Sequence, residues 1–262
     1  MEQATEKKSR FGMLIDLDRC TGCGACMISC AVENNIAPAE QKATTRTGVT
    51  WIRVSAMSNG AEFPATDTVY VPMPCQQCEK DTPCVAVCPQ NAVDVDPQTG
   101  IVGQVPQRCL GCRYCMTACP YHARYFDWWD PRWPEGMEQT LNPDVAPRMR
   151  GVAEKCNFCH GRLHAARTKA AAEGRTDIAP ADYVPACVEA CPAHAIVFGD
   201  LNDAESEVAR GAAHPHSFRF LVKLGTESKV YYRSERAWVR DNADAFRLAR
   251  ARTEGVVLWI SS

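Results

Sequence analysis

At 262 residues the chain can hold one large or two small domains, and its formal net charge of −2 excludes the general attraction to nucleic acid or anionic lipid that a basic protein would show. Its 16 cysteines do not suit a disulfide scaffold, because the chain is not small and does not start with an apolar export segment. They also inflate the 46% hydrophobic fraction, so the aliphatic core is thin, bound metal should supply folding free energy, and the metal-free form is expected not to fold.

Residues 1–10 read as a disordered polar lead, with neither an apolar signal core nor a twin arginine. Met13, Ile15 and Leu17 alternate imperfectly in a short strand that delivers the chain to Cys20. The first cysteine run, CTGCGACMISC, holds Cys20, Cys23, Cys26 and Cys30. Gly22 and Gly24 let the backbone curl between them, and a short helix is expected over 25–33. Two β-rich segments, 49–56 and 68–71, lead to the second run, CQQCEKDTPCVAVCP, with Cys75, Cys78, Cys84 and Cys88. Pro72 and Pro74 disfavour helix at its start. NAVDVDPQTGIVGQV then carries two alternating runs around a turn, which is a hairpin signal.

The third run, CLGCRYCMTACP, repeats the spacing of the first with Cys109, Cys112, Cys115 and Cys119. YFDWWDPRWP follows, either an anchor for another subunit or a loop packed over a metal group. Residues 135–154 read as an ordered insertion without periodicity. Cys156 and Cys159 open a last run that Cys187 and Cys191 complete. Between these pairs a helix is expected over 160–173, stopped at Gly174. A strand over 195–198, a polar helix over 203–210 and a cysteine-free tail over 212–262 finish the chain. The longest apolar run, near 256–260, is far short of the roughly 20 residues a bilayer span needs, so the chain by itself is expected to be soluble.

Three thiols two residues apart, a fourth after three more and a proline make the bacterial ferredoxin run, whose first three cysteines hold one 4Fe–4S cubane and whose fourth reaches a second cluster. Such runs come in pairs. The second and third are close in sequence and form one module, leaving the first and last to form another around it. The expected ligand groups are Cys20, Cys23, Cys26 with Cys191; Cys156, Cys159, Cys187 with Cys30; Cys75, Cys78, Cys84 with Cys119; and Cys109, Cys112, Cys115 with Cys88. No cysteine is left over. Structural zinc usually takes two pairs of ligands, so runs of three suit the corners of a cube better.

A repeat of Cys-Pro-x-x-Ala before a strand, at Cys88, Cys119 and Cys191, marks three of the runs independently of the spacing; the first run has Ala31 in place of proline. The six histidines, His122, His160, His164, His194, His214 and His216, read as surface or packing residues, with His122 and His194 part of the repeat's turn. Arg108, Arg113, Lys155 and Arg162 adjoin cluster ligands, either solvated or raising reduction potentials. No nucleophile–base pair, phosphate loop or dinucleotide fingerprint stands out, which points to an electron wire rather than a catalytic site.

The fold class expected is α+β: two bacterial-ferredoxin-like modules, each holding two clusters, with loop insertions and a C-terminal extension. Residues 11–63 with 150–202 would form a discontinuous outer module, 64–128 an inner module, 129–149 an insertion, and 203–262 a tail packed on the modules or on a partner.

The order of the four runs, with the last one split, resembles the four-cluster iron–sulfur subunits of the dimethyl sulfoxide and polysulfide reductase type over about 11–202. YFDWWDPRWP, LNPDV and RGVAEKCNFC look like the branch found in alternative complex III and the menaquinone reductase complex of sulfate reducers. The resemblance implies an electron-transfer subunit between a molybdopterin-type large subunit and an NrfD-like integral membrane quinone-binding subunit, often with a multihaem cytochrome c. It implies membrane contact only through a partner, and a periplasmic position reached by co-export with a signal-bearing partner. A subunit of a polysulfide, tetrathionate or arsenate reductase is the nearest rival, and a free-standing ferredoxin-like carrier the next. One departure stands out: relatives have four residues between the second and third cysteines of the second run, whereas this chain has five, 79–83. Either Cys84 ligates from a shifted position and all four clusters are 4Fe–4S, or that cluster is 3Fe–4S.

Overall fold

The structure, a computed structural model, describes residues 9–39, 43–44, 47–244 and the strand 257–259; the rest of the expected polar lead and of the C-terminal tail lies outside the described residues. Its strands and helices in chain order are β1 (Phe11–Asp16), α1 (Ala25–Glu33), β2 (Arg53–Ser58), β3 (Thr68–Met73), α2 (Pro83–Ala86), β4 (Val93–Val95), β5 (Val102–Gln104), α3 (Tyr114–Ala118), β6 (Tyr125–Phe126), β7 (Ala153–Glu154), α4 (His160–Ala172), α5 (Ala186–Glu189), β8 (Ile196–Asp200), α6 (Glu207–Ala212), β9 (Ser217–Phe218), β10 (Val230–Arg233), α7 (Ala237–Asp241) and β11 (Val257–Trp259). This mixture of short helices and strands is α+β.

All six residues of β1 are buried. The strand lies inside a sheet of order β8–β1–β10–β9, antiparallel to β8 and parallel to β10. A strand covered on both faces has no polar side to alternate with, which explains why its sequence pattern is imperfect. Met13, Ile15, Ile196, Phe220, Val230, Tyr232 and Val239 form the core around this sheet. Phe220, Val230 and Tyr232 come from the cysteine-free C-terminal segment that supplies β9 and β10. Phe220 meets Tyr232 edge to face at 4.5 Å between ring centroids.

The hairpin β4–β5 forms where the Asp-Pro-Gln-Thr-Gly turn predicts it. Gly100 closes the turn at φ 66°, a left-handed conformation that favours glycine. The expected helix over 160–173 is α4, with Gly174 at φ 70° ending it. The polar helix expected over 203–210 is instead the shorter α6, because Ser206 caps its N-terminus by accepting from Ala209 N–H at 3.1 Å. Residues 203–205 therefore belong to the preceding turn.

Two contacts tie distant runs together. β6, just after the third run, pairs with β7, just before the last. Gln77, fully buried in the second run, donates from Nε2 to the Cys156 carbonyl at 3.0 Å and accepts from Val102 N–H at 2.7 Å. In the insertion, Asn142 and Val145 of LNPDV clamp the end of α1: Asn35 Nδ2 donates to the carbonyls of Asn142 at 2.9 Å and Val145 at 2.6 Å.

Candidate metal centres

All four runs share one local conformation, although the interval between their second and third cysteines differs. The residue before the second cysteine is left-handed each time: Gly22 (φ 73°), Gln77 (φ 50°), Gly111 (φ 77°) and Phe158 (φ 55°). The third cysteine is always the second residue of a helix, Cys26 in α1, Cys84 in α2, Cys115 in α3 and Cys187 in α5. The extra residue in 79–83 is absorbed before α2 begins, so Cys84 reaches the same place in its loop as its counterparts.

The fourth cysteine sits in a tight turn wherever proline follows it. Asn91, His122 and His194 are left-handed at φ 48°, 49° and 46°, and their N–H groups donate to the carbonyls of Cys88, Cys119 and Cys191 at 3.4, 3.2 and 3.1 Å. Asn and His tolerate that conformation better than most residues, which accounts for the two histidines as turn residues. The turn aims a backbone N–H at the sulfur, from Ala92 to Cys88 Sγ at 3.2 Å and from Ala195 to Cys191 Sγ at 3.3 Å. In the first run the proline is missing and α1 continues past Cys30. The Asn34 side chain takes over there, its Nδ2 lying 3.7 Å from Cys30 Sγ and 4.0 Å from Cys159 Sγ.

The structure gathers the sixteen cysteines into four quartets. Cys20, Cys23, Cys26 and Cys191 line one cavity; Cys75, Cys78, Cys84 and Cys119 a second; Cys88, Cys109, Cys112 and Cys115 a third. These cavities are nearly one size despite different linings. Cys30, Cys156, Cys159 and Cys187 form the remaining quartet, all four buried. Burial, then the other three thiols of its quartet, push the Cys30 thiol well up.

The quartets adjoin one another in succession. Cys26 of the first is a neighbouring charge to Cys30 and Cys187, Cys75 to Cys156, and Cys84 to Cys115. Cys23 and Cys112, in the two end quartets, are the exposed thiols of the set. Burial first, and neighbouring thiols second, push Cys26 and Cys78 up to about 12. Thiols packed in this way ionise only against strong positive charge, and a multiply charged metal group supplies it. The donors fit such a group: four thiolates around a common space, with N–H groups aimed at sulfur.

The surroundings separate the cations read from the sequence. Lys155 is buried, its Nζ donating to the Cys156 carbonyl at 2.9 Å and to that of Val102. Arg113 lies over the rings of Phe126 and Trp128 at 5.3 and 4.9 Å, and Arg162 pairs with Glu33 and Glu189 at 2.8 and 2.7 Å. Trp128 packs edge to face on Phe126 at 4.8 Å, beside the third run. Two residues escaped the sequence reading. Asn34 gives no signal beyond the missing proline. Arg124 does, because it is a cation where the other two copies of the repeat have Val93 and Ile196.

A 4Fe–4S dicluster domain family matches residues 66–134, and a 4Fe–4S binding domain family matches 11–32. The chain is 52% identical to the menaquinone reductase iron–sulfur cluster-binding subunit of Nitratidesulfovibrio vulgaris, covering 94% of this chain and 97% of that one. The chain belongs to this family of iron–sulfur subunits of respiratory reductases. Two further relatives are more distant. The Hdr-like menaquinol oxidoreductase iron–sulfur subunit 1 of Archaeoglobus fulgidus is 35% identical, with 88% of this chain and 85% of that one covered. The arsenate respiratory reductase iron–sulfur subunit ArrB of a Shewanella species is 33% identical, with 85% and 95% covered. The 16 cysteines of this family member fit four 4Fe–4S clusters. Among the described residues, no helix is long and apolar enough to cross a membrane.

Proposed function

We propose that the chain is an electron-transfer subunit that relays single electrons through four 4Fe–4S clusters. The ligands are Cys20, Cys23, Cys26 and Cys191; Cys30, Cys156, Cys159 and Cys187; Cys75, Cys78, Cys84 and Cys119; and Cys88, Cys109, Cys112 and Cys115, traversed in that order or its reverse. The observation that carries this reading is the succession of quartets, whose two ends reach the surface at Cys23 and Cys112 while its middle cysteines are buried apart from the half-buried Cys119. Electrons would enter at one exposed end and leave at the other. The position of Cys84 in the same cavity as Cys75, Cys78 and Cys119 favours a cubane there over a 3Fe–4S form.

The complex it serves is a menaquinone reductase, on the strength of the 52% relative. Within it the chain connects an NrfD-like quinone-binding membrane subunit with a molybdopterin-type large subunit and a multihaem cytochrome c, on the periplasmic face. The arsenate-reductase type is the second reading, supported by a relative at 33% identity.

The test is low-temperature EPR with iron and sulfide quantitation on the anaerobically purified protein, before and after reduction. The expected result is about sixteen irons per chain, silence as isolated and coupled reduced-cubane signals. A signal in the oxidised protein would replace one cubane by a 3Fe–4S cluster, and zinc in place of iron would overturn the reading. Copurification with a haem-bearing partner separates the menaquinone reductase from the arsenate-reductase type, and purification without any large partner would mean a free carrier. Protease accessibility in intact cells tests the periplasmic position.

A further inference from the structure

Arg124 closes the second Cys-Pro-x-x-Ala turn, that of the third cysteine run, at 4% exposure, as buried as the apolar Val93 and Ile196 that hold its place in the other copies at 3% and 4%. It lines two cavities at once, that of Cys75, Cys78, Cys84 and Cys119 and that of Cys88, Cys109, Cys112 and Cys115. Its Nη2 donates to Gln104 Oε1, which anchors one arm of the guanidinium. Among the described residues, Nε and Nη1 are buried with no oxygen or nitrogen to bond. Among the described residues no carboxylate forms an ion pair with it; the buried Glu154 is paired with Arg148 at 3.1 Å and feels the charge of Arg124 less than that of Arg148. The guanidinium is a charge and hydrogen-bond neighbour of Cys84 and of Cys115, one thiol from each quartet.

A guanidinium cannot shed its proton, so burial without a counter-charge is strongly destabilising. Two anionic clusters, one on each side, are the compensation the cavities offer. We propose that Arg124 is the shared counter-charge of these two clusters, a positioning residue whose free N–H groups point to their sulfurs and which raises both reduction potentials together. The inference rests on the ligand assignment proposed above. Each cluster becomes more negative by one electron on reduction, so a fixed positive charge beside it favours the reduced form. In the step between them one cluster loses the electron the other gains, and no proton moves because the guanidinium keeps its charge throughout. Sharing one cation between neighbours keeps their potentials in step.

The experiment is an EPR-monitored redox titration of the cluster-loaded chain in its complex, comparing the parent with Arg124→Gln and Arg124→Lys. Cys112→Ser identifies the signal of the cluster it ligates, and iron counting reports loading. In Arg124→Gln two midpoint potentials are expected to fall, each by at least tenfold in the reduction equilibrium, about 59 mV for a one-electron couple. The other two stay where they are, and Arg124→Lys restores most of the change. If Arg124→Gln loses the two clusters while Arg124→Lys keeps them, the charge is again what the clusters need. Four unmoved potentials at full iron content, an equal shift of all four, or loss of the clusters from both variants would each overturn the proposal. A Cys112→Ala chain, which offers iron no donor at that position, that retains four cubanes would instead overturn the ligand assignment and leave the potentials to be read on their own.

Discussion

Gly111→Ala tests whether a close backbone approach, rather than the left-handed turn alone, holds the third cysteine loop. Gly111 is at φ 77°, and a Cβ placed on it would lie 2.5 Å from the Gly151 carbonyl oxygen. An unstrained carbon–oxygen contact is roughly 3.3 Å, so about 0.8 Å would have to come from movement of one of two backbone segments. The left-handed conformation costs a side chain about 1–2 kcal/mol, and forcing the segments apart adds about 1–3 kcal/mol. The sum, about 2–5 kcal/mol, is a large part of a typical domain stability of about 5–15 kcal/mol. The repeat supplies its own control: Gln77 and Phe158 hold the equivalent position at φ 50° and 55° with full side chains, so the turn accepts a Cβ where there is room. Gly24 is a second control, at φ 75° with nothing within 4 Å of the point a Cβ would occupy, and Arg113 is its counterpart in the third run. The assay is thermal and urea unfolding of the cluster-loaded chain, followed by visible absorbance, with iron counted before each run. Gly111→Ala should lose the larger stability and shed iron first, while Gly24→Ala loses only the conformational cost. Equal losses in the two variants, or a Gly111→Ala loss below about 0.5 kcal/mol, would refute the close-approach argument.

Phe220→Ala should cost about 3–5 kcal/mol in the same unfolding assay, because it empties a fully buried site against Tyr232; a loss under about 1 kcal/mol would mean that the C-terminal segment is not part of the core. Asn34→Leu removes the amide that faces Cys30 and Cys159, and should lower the reduction potential of one buried cluster, read by redox titration, while the others keep theirs. Burial lowers the Lys229 ammonium to about 8, with the nearby Glu79 opposing that shift. The folded chain therefore binds fewer protons than the unfolded one between about pH 8 and the ordinary lysine value near 10.5, and stability should rise with pH across that window by up to about 3 kcal/mol. Below pH 8 both states are protonated and the slope disappears. Lys229→Met should flatten the window in unfolding curves collected as a function of pH.

Those parts of this protein that depend on neighbouring residues are written in the chain itself. The helix α1, the hairpin β4–β5 around its glycine turn and the helix α4 ending at Gly174 all follow from local periodicity and turn chemistry. The three Cys-Pro-x-x-Ala turns are legible for the same reason, since proline and a left-handed Asn or His define them within five residues. Contacts between segments far apart in the chain arise only on folding. Val230–Arg233 pairs in parallel with β1, more than two hundred residues away, and nothing in its own sequence says which strand will cover it. The C-terminal segment consequently forms a wall of the core, and Thr226 bonds to Tyr121 at 2.7 Å beside the second run. Spacing alone left Cys84 ambiguous, and the start of α2 brought it into its cavity. Arg124 is plain in the repeat as an odd residue, but its meaning depends on two cavities that meet only after the chain has folded. Local conformation is set by a few adjacent torsions and is therefore written in short motifs. A buried charge and its partners are set by packing between segments whose separation in sequence carries no such mark.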